Sequence, residues 1–256
     1  MISVKLGCAF LMMCRTHFTP RNSNRIHTFR QSHHYKIEQY GLPTDENLHY
    51  FKRFVSSVNY DKKIPNWVLQ YNNKEELTDI VVSKRPGFSN LNNDYWVPKK
   101  HSYGEYSRGH LVPAGDYRGG CKKDTFFLET NIVPQQLQNN QGIWNKLEMR
   151  VRNNLINNFE EVWVLSGPLF IPYRYSGKKY IKYEIVGDCN IAVPNSLFKS
   201  IIYKDIDSLY TDSYIIPNKE INSKELNKYK VTMEDIEKDF KHPIFSLLDR
   251  KSIKSI

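Results

Sequence analysis

Ile143, Leu147, Val151, Leu155 and Phe159 recur every four residues through the middle of the chain, with polar and charged side chains between them. That spacing keeps one apolar stripe on a helix and cannot serve a strand, whose side chains alternate between two faces. A long amphipathic helix therefore has to find an apolar partner, and the flanking segments supply it. Val55 to Asn59 and Trp67 to Tyr71 are rich in branched and aromatic residues, "DTFFLETNIVPQ" is strand-like up to Pro134, and "EVWVLSGPLF" is a short apolar strand ended by a Ser-Gly-Pro turn. "SLFKSIIY" reads as a further strand. "KYIKYEIVG" alternates Ile181, Tyr183 and Ile185 against Lys182 and Glu184, the pattern of a half-exposed strand. Near the C-terminus Thr232 precedes Met233, Ile236 and Phe240 with acids in the first turn, as a capped helix requires. "SKRPGFSNLNNDYWVPKKHSYGEY" is polar, basic and turn-rich, and reads as a long surface connection. Strands, one major helix, more strands and a short helix predict an α+β fold with a central antiparallel sheet and flanking helices. A chain of 256 residues can bury one sizeable core, and no repeat or low-complexity segment divides it.

Charge bears on partners rather than on fold. Thirty-seven Lys and Arg against 27 Asp and Glu leave a formal +10, which attracts polyanions and raises their encounter rates. Asn pairs such as Asn139-Asn140 and Asn157-Asn158 fit a plainer source of the same bias, an Asn- and Lys-rich genome. The cysteines, Cys8, Cys14, Cys121 and Cys189, have no Cys-x-x-Cys spacing, which argues against thiolate metal sites and against a disulfide scaffold.

No acid precedes Glu38, whereas Lys5, Arg15, Arg21, Arg25, Arg30 and Lys36 are interleaved with Ser, Thr and His. Residues 1–37 read as a mitochondrial presequence, leaving 38–256 as the folded domain. A secretory signal, with Leu6 to Cys14 as its apolar region, is the competing reading. Arginines downstream of that run, and no small-x-small cleavage site beside it, favour mitochondria. The run is too short to span a bilayer; if retained, it offers at most a weak association with the mitochondrial inner membrane.

"EYSRGHLVPAGDYRG" places Arg108 two residues before His110 in a stretch with little helical character. On an extended segment both side chains point the same way. A neutral imidazole can take a proton from water near pH 7, and a guanidinium can grip a phosphate with two parallel hydrogen bonds. A lone histidine would as readily be a surface or core residue. Downstream, Asn140, Trp144 and Glu148 are spaced to share one helical edge. An amide oxygen and a carboxylate there make a sparse hard-oxygen site of the kind magnesium accepts, since that ion keeps most of its waters. Taken singly, Glu148 could be a solvated helix residue and Asn140 a helix cap before Gly142.

"SRGHLVPAGD", "FLETNIVPQQLQNNQGIWNKLE" and "EVWVLSGPLF" resemble the DNA/RNA non-specific endonuclease superfamily, which has a ββα-metal nuclease fold and an Asp-Arg-Gly-His signature. Ser107 in place of that aspartate is similar to the mitochondrial exo/endonuclease G branch, as are "NYDKKIPNWVL", "NIAVPNSLFK" and "LLDR"; the resemblance spans roughly residues 38 to 250. It implies a metal-dependent nuclease that leaves 5′-phosphate and 3′-hydroxyl ends. His110 would be the general base and Arg108 a phosphate contact. Asn131 would help hold the site and substrate, Asn140 would be the direct ligand of Mg2+ (or Mn2+), and Glu148 would orient metal-bound water. A further phosphate-binding residue would be Lys84 or Arg85. DNA is the implied substrate, RNA a second one, and the branch implies a homodimer. No base-reading motif is evident, so contacts should go mainly to the sugar-phosphate backbone.

The sequence departs from the family pattern at Asp116, an acid close to the signature block. Longer members of the branch continue past the position of Arg250, so internal cutting is expected to outweigh 5′-end trimming. Two rivals stand beside this reading: a secreted non-specific nuclease, and a catalytically silent nucleic-acid-binding relative.

Fusing residues 1–37 to a fluorescent reporter tests the targeting reading. We expect delivery to mitochondria; secretion of the reporter would overturn it.

Overall fold

The structure, a computed structural model, describes residues 34–73, 85–91, 102–117, 119–223 and 225–254. Residues 1–33 of the expected presequence, and Lys84, lie outside the described residues. From His34 the chain is already part of the fold: Ile37 is fully buried, and the Lys36 carbonyl accepts a hydrogen bond from the Trp163 indole at 2.7 Å. Ile37 is thus part of a buried core.

In chain order the strands are β1 (Leu48–Tyr50), β2 (Phe54–Asn59), β3 (Ile64–Asn73), β4 (Ser107–His110), β5 (Ile132–Gln135), β6 (Glu161–Leu169) and β7 (Tyr173–Tyr175). They continue as β8 (Lys178–Tyr180), β9 (Ile185–Val186), β10 (Ile191–Ala192), β11 (Ser196–Asp205), β12 (Ser208–Pro217) and β13 (Lys230–Val231). Seven of them form one antiparallel sheet in the order β1-β2-β3-β6-β11-β12-β13; β4 with β5, β7 with β8 and β9 with β10 make separate ribbons.

Strand alternation sends side chains into two cores on opposite sheet faces. On β11, Leu197, Ile201 and Tyr203 join one core, and Phe198 and Ile202 the other. The second core holds Ile37 and the C-terminal helix Met233–Phe240, which Thr232 caps by accepting from the Asp235 N–H at 3.1 Å. The first core holds β4, β5 and the long helix. Both central strands are buried on both faces, so a polar side chain on β6 or β11 must find its partner inside the protein.

The long helix runs over 137–158 and is not uniformly α: π-helical turns at Asn140–Trp144 and Val151–Leu155 separate its α-helical pieces. The apolar repeat explains them. On a regular α-helix a four-residue step overshoots a full turn by about 40°, so the stripe would drift by about 160° between Ile143 and Phe159. Wider turns bring it back to one side, and Ile143, Leu147, Val151 and Leu155 are all buried.

Two sequence expectations need correction. "DTFFLETNIVPQ" is not a strand throughout: Leu128–Asn131 form a helical turn and only Ile132–Gln135 pair with β4. Backbone hydrogen bonds to the Asn131 side chain override local strand propensity here. Nor is "KYIKYEIVG" one strand: residues 181–184 are exposed and belong to no strand, although the Glu184 carbonyl accepts from the Val193 N–H at 2.8 Å.

β4 and β5 come unusually close at Gly109, where a Cβ would stand 2.1 Å from Gln135 Oε1 and 2.7 Å from Gln135 Cβ. Gly109→Ala should cost about 1–3 kcal/mol through overpacking. Gly120→Ala, whose added carbon meets nothing within 4 Å, should be neutral or slightly stabilising in its helix. Paired denaturant melts check this; equal stability of the two variants would show that the close approach relaxes freely.

Candidate active site

β4 carries Arg108 and His110 with one residue between them, and both reach the same aromatic layer. The His110 ring lies 5.5 Å from Phe88 and 4.9 Å, edge-on, from Phe126. The Arg108 guanidinium sits 4.1 Å above Phe88, and that of Arg85 is 5.7 Å from Phe126. Phe88 belongs to the long connection, but its neighbour is fixed there: the Ser89 N–H donates to the Phe126 carbonyl, and the Leu128 N–H donates to the Ser89 carbonyl. Of the two basic residues expected from the connection, Arg85 is therefore beside His110, while Lys84 lies outside the described residues.

Burial, then the positive charges of Arg85 and Arg108, pull the His110 pKa down to about 3. The ring is neutral at pH 7, and its Nε2 is buried without a protein partner. Buried polar atoms are nearly always paired, and this nitrogen is placed to accept a hydrogen bond from a donor such as water.

Three contacts hold this strand. The Asn131 side chain, fully buried, donates to the carbonyls of Val112 and Thr125 at 2.9 Å each and accepts from the Val112 N–H at 2.8 Å. Its amide is engaged with backbone, where it holds the chain leaving β4. The buried Trp144 indole donates to the His110 carbonyl at 3.2 Å, tying the long helix to β4. Lys199, nearly fully buried on β11, donates to the Leu111 carbonyl at 3.1 Å and to Ser166 Oγ at 2.7 Å. Its ammonium also lies 4.8 Å from the Trp144 ring.

Asn140 is half-buried and opens the first π turn. It is not the cap, since Gln136 takes that role by accepting from the Asn139 N–H at 2.9 Å. The Asn140 side-chain amide has no protein partner among the described residues. Two turns on, Glu148 is half-buried; burial raises its pKa, the Lys199 ammonium opposes that rise, and the Asp116 carboxylate adds to it. Asp116, whose effect the sequence leaves open, is buried and accepts from Gln70 Nε2 at 3.0 Å and from Arg152 Nε at 2.8 Å. Behind the site, then, Glu148 and Asp116 are set against Lys199 and Arg152.

Among the described residues no group of three or more His, Cys, Asp or Glu could hold a metal ion. A soft, multiply ligated ion is poorly served. An amide oxygen with no partner among the described residues suits a hard cation that retains its waters, as magnesium does. Lys199 is the functional candidate missed in the sequence. The signal was present: a single lysine inside the otherwise apolar "SLFKSIIY" has no route to water if the strand is central.

In the metal-free protein, the His110 ring should stay neutral through the pH range where histidines ordinarily titrate. The folded value lies below the ordinary histidine value of about 6.5. The linked stability is therefore complete above about pH 6.5 and drains away as pH falls towards 3. An NMR titration of the ring nitrogens reads this directly; a transition near pH 6.5 would show that the imidazole is not shielded.

Comparison with known proteins adds an independent line. Residues 33–250 match the family described as DNA/RNA non-specific endonuclease. The chain is similar to "Nuclease EXOG, mitochondrial" of Homo sapiens, 34% identical over 235 residues that cover 84% of this chain and 62% of that protein. It is also similar to "Endonuclease G, mitochondrial" of Caenorhabditis elegans, 32% identical over 234 residues covering 85% and 74%. A chain of the crystal structure of the EndoG/EndoGI complex superposes with a TM-score of 0.79 at 28% identity, covering 86% of this chain and 94% of that one.

Proposed function

This chain belongs to the DNA/RNA non-specific endonuclease family, and on that premise we propose that it is a mitochondrial, magnesium-dependent nuclease. It hydrolyses phosphodiester bonds of DNA, and of RNA, to 5′-phosphate and 3′-hydroxyl ends, and it works as a homodimer. The observation that carries the reading is the neutral His110, its buried Nε2 unpaired, on a strand shared with Arg108 and beside Arg85. A catalytically silent nucleic-acid binder would have no use for a base-competent imidazole among cations.

Arg108 and Arg85 hold the non-bridging oxygens of the scissile phosphate. His110 takes a proton from the attacking water; the same two guanidiniums that stabilise the phosphate keep the imidazole free of protons until then. Asn140 is the residue that would hold Mg2+ directly, with Glu148 orienting water beside it; the ion would neutralise charge on the phosphate and on the leaving 3′ oxygen. Lys199 and Arg152 favour the ionised form of Glu148, the form useful beside a cation. Asn131 and Trp144 keep β4 in place against the long helix.

The test compares wild type, His110→Ala and Asn140→Ala on a closed circular plasmid and an end-labelled duplex, with and without magnesium. His110→Ala should lose about 10²–10⁴-fold in turnover, the usual worth of a general base. Its nucleic-acid affinity, built from many phosphate contacts, should persist. Asn140→Ala should lose activity that extra magnesium does not restore. Wild-type turnover by His110→Ala would overturn the assignment.

A further inference from the structure

The β7–β8 hairpin has no part in the chemistry above, yet its composition is unusual. From Tyr173 to Ile185 every residue is exposed, and Tyr175 keeps 70% of its surface. The turn is a tight two-residue one, with Ser176 at φ 47° and Gly177 at φ 75°, the paired left-handed geometry that fits the twist of a hairpin. It fixes the register, so Tyr173 faces Tyr180 in a stacked pair 5.9 Å apart and Arg174 faces Lys179.

Two like charges directly opposite each other destabilise a ribbon. Arg174 and Lys179 have no ion-pair partner among the described residues, and neither do Lys178 and Lys182. The single acid of the segment, Glu184, accepts from the Tyr106 hydroxyl at 2.7 Å. A hairpin that puts cation opposite cation, with tyrosine rings beside them, is suited to a polyanion that also carries flat rings.

Position supports the same occupant. Glu184 anchors the arm at Tyr106, two residues before Arg108, and an extended chain covers at most about 7 Å over that interval. At Gly187 the arm's return packs so closely on Ser102 that a Cβ would lie 2.3 Å from the Ser102 carbonyl oxygen. The arm is thus rooted on the segment that leads into the catalytic strand.

We propose that the 173–184 arm is a second contact for the nucleic acid, holding the strand that flanks the scissile phosphate. Arg174 and Lys179 bind backbone phosphates, and the exposed tyrosines give bases or sugars a stacking surface. This rests on the nuclease reading and extends it to a binding track outside the catalytic residues.

The experiment compares wild type with Arg174→Gln/Lys179→Gln in two assays. In the first, binding of a fluorescent DNA duplex is followed by anisotropy across a salt series without added metal. Losing two phosphate contacts should reduce the slope of log affinity against log salt by about 1.8 and weaken binding several-fold at low salt. In the second, KM for plasmid should rise while turnover of the small activated diester bis(p-nitrophenyl) phosphate stays unchanged. An unchanged slope and affinity would overturn the proposal. So would an unchanged slope with a lower solution mass by light scattering, which would make the arm a contact between copies of this chain. If wild type cleaves neither substrate the nuclease reading fails, and the anisotropy series still decides the arm.

Discussion

The Lys199 ammonium is the point on which the site hangs. It is an ion buried in the middle of a seven-stranded sheet, and isolated it would be costly. Its position is made tolerable by the Leu111 carbonyl, Ser166 Oγ, the face of Trp144 and the nearby Glu148 carboxylate. Those four neighbours come from three elements: the exit of β4, strand β6, and the long helix, which supplies both Trp144 and Glu148. One charge thereby specifies how three elements meet. Burial lowers the Lys199 pKa while Glu148 and Asp116 raise it, so the ammonium and the carboxylates sustain one another. Apolar packing could hold the helix on the sheet, but it would not dictate which carboxylate ends up beside which carbonyl.

The front of the site follows the opposite logic. Behind, charges are balanced; around His110 they are deliberately unbalanced, with Arg85 and Arg108 near a neutral ring. An excess of fixed positive charge raises the local concentration of anions and discourages protonation of the base. Phe88 and Phe126 make this arrangement possible, since each offers a ring face to a guanidinium and packs on the imidazole.

How much of this was legible in the sequence depended on the range of the interactions. Arg108 and His110 are neighbours on one strand, and Asn140, Trp144 and Glu148 share one helix, so spacing alone grouped them. Lys199 was not legible because its partner Leu111 is 88 residues away and only the sheet brings them together. Placing Arg85 beside Phe126 needed the hydrogen bonds between Ser89 and residues 126–128. The strand expected over "FFLETN" failed because a buried amide can outbid local propensity. The alternation in "KYIKYEIVG" misled for a different reason: a period of two signals a half-buried strand only where a core covers one face, and here both faces meet water.

The π turns carry a consequence for how such a helix tolerates change in length. Each widened turn accommodates more chain than an α turn would, and Asn140 and Glu148 stand on either side of the end of the first one. Deleting a single residue within 141–144 would allow the turn to relax to ordinary α-helical hydrogen bonding, a local gain. The residue lost would be the one the wider turn absorbs, so Asn140 and Glu148 would keep nearly the same phase about the helix axis. The locally less regular winding is thus what lets the helix carry one residue more between amide and carboxylate without turning them apart.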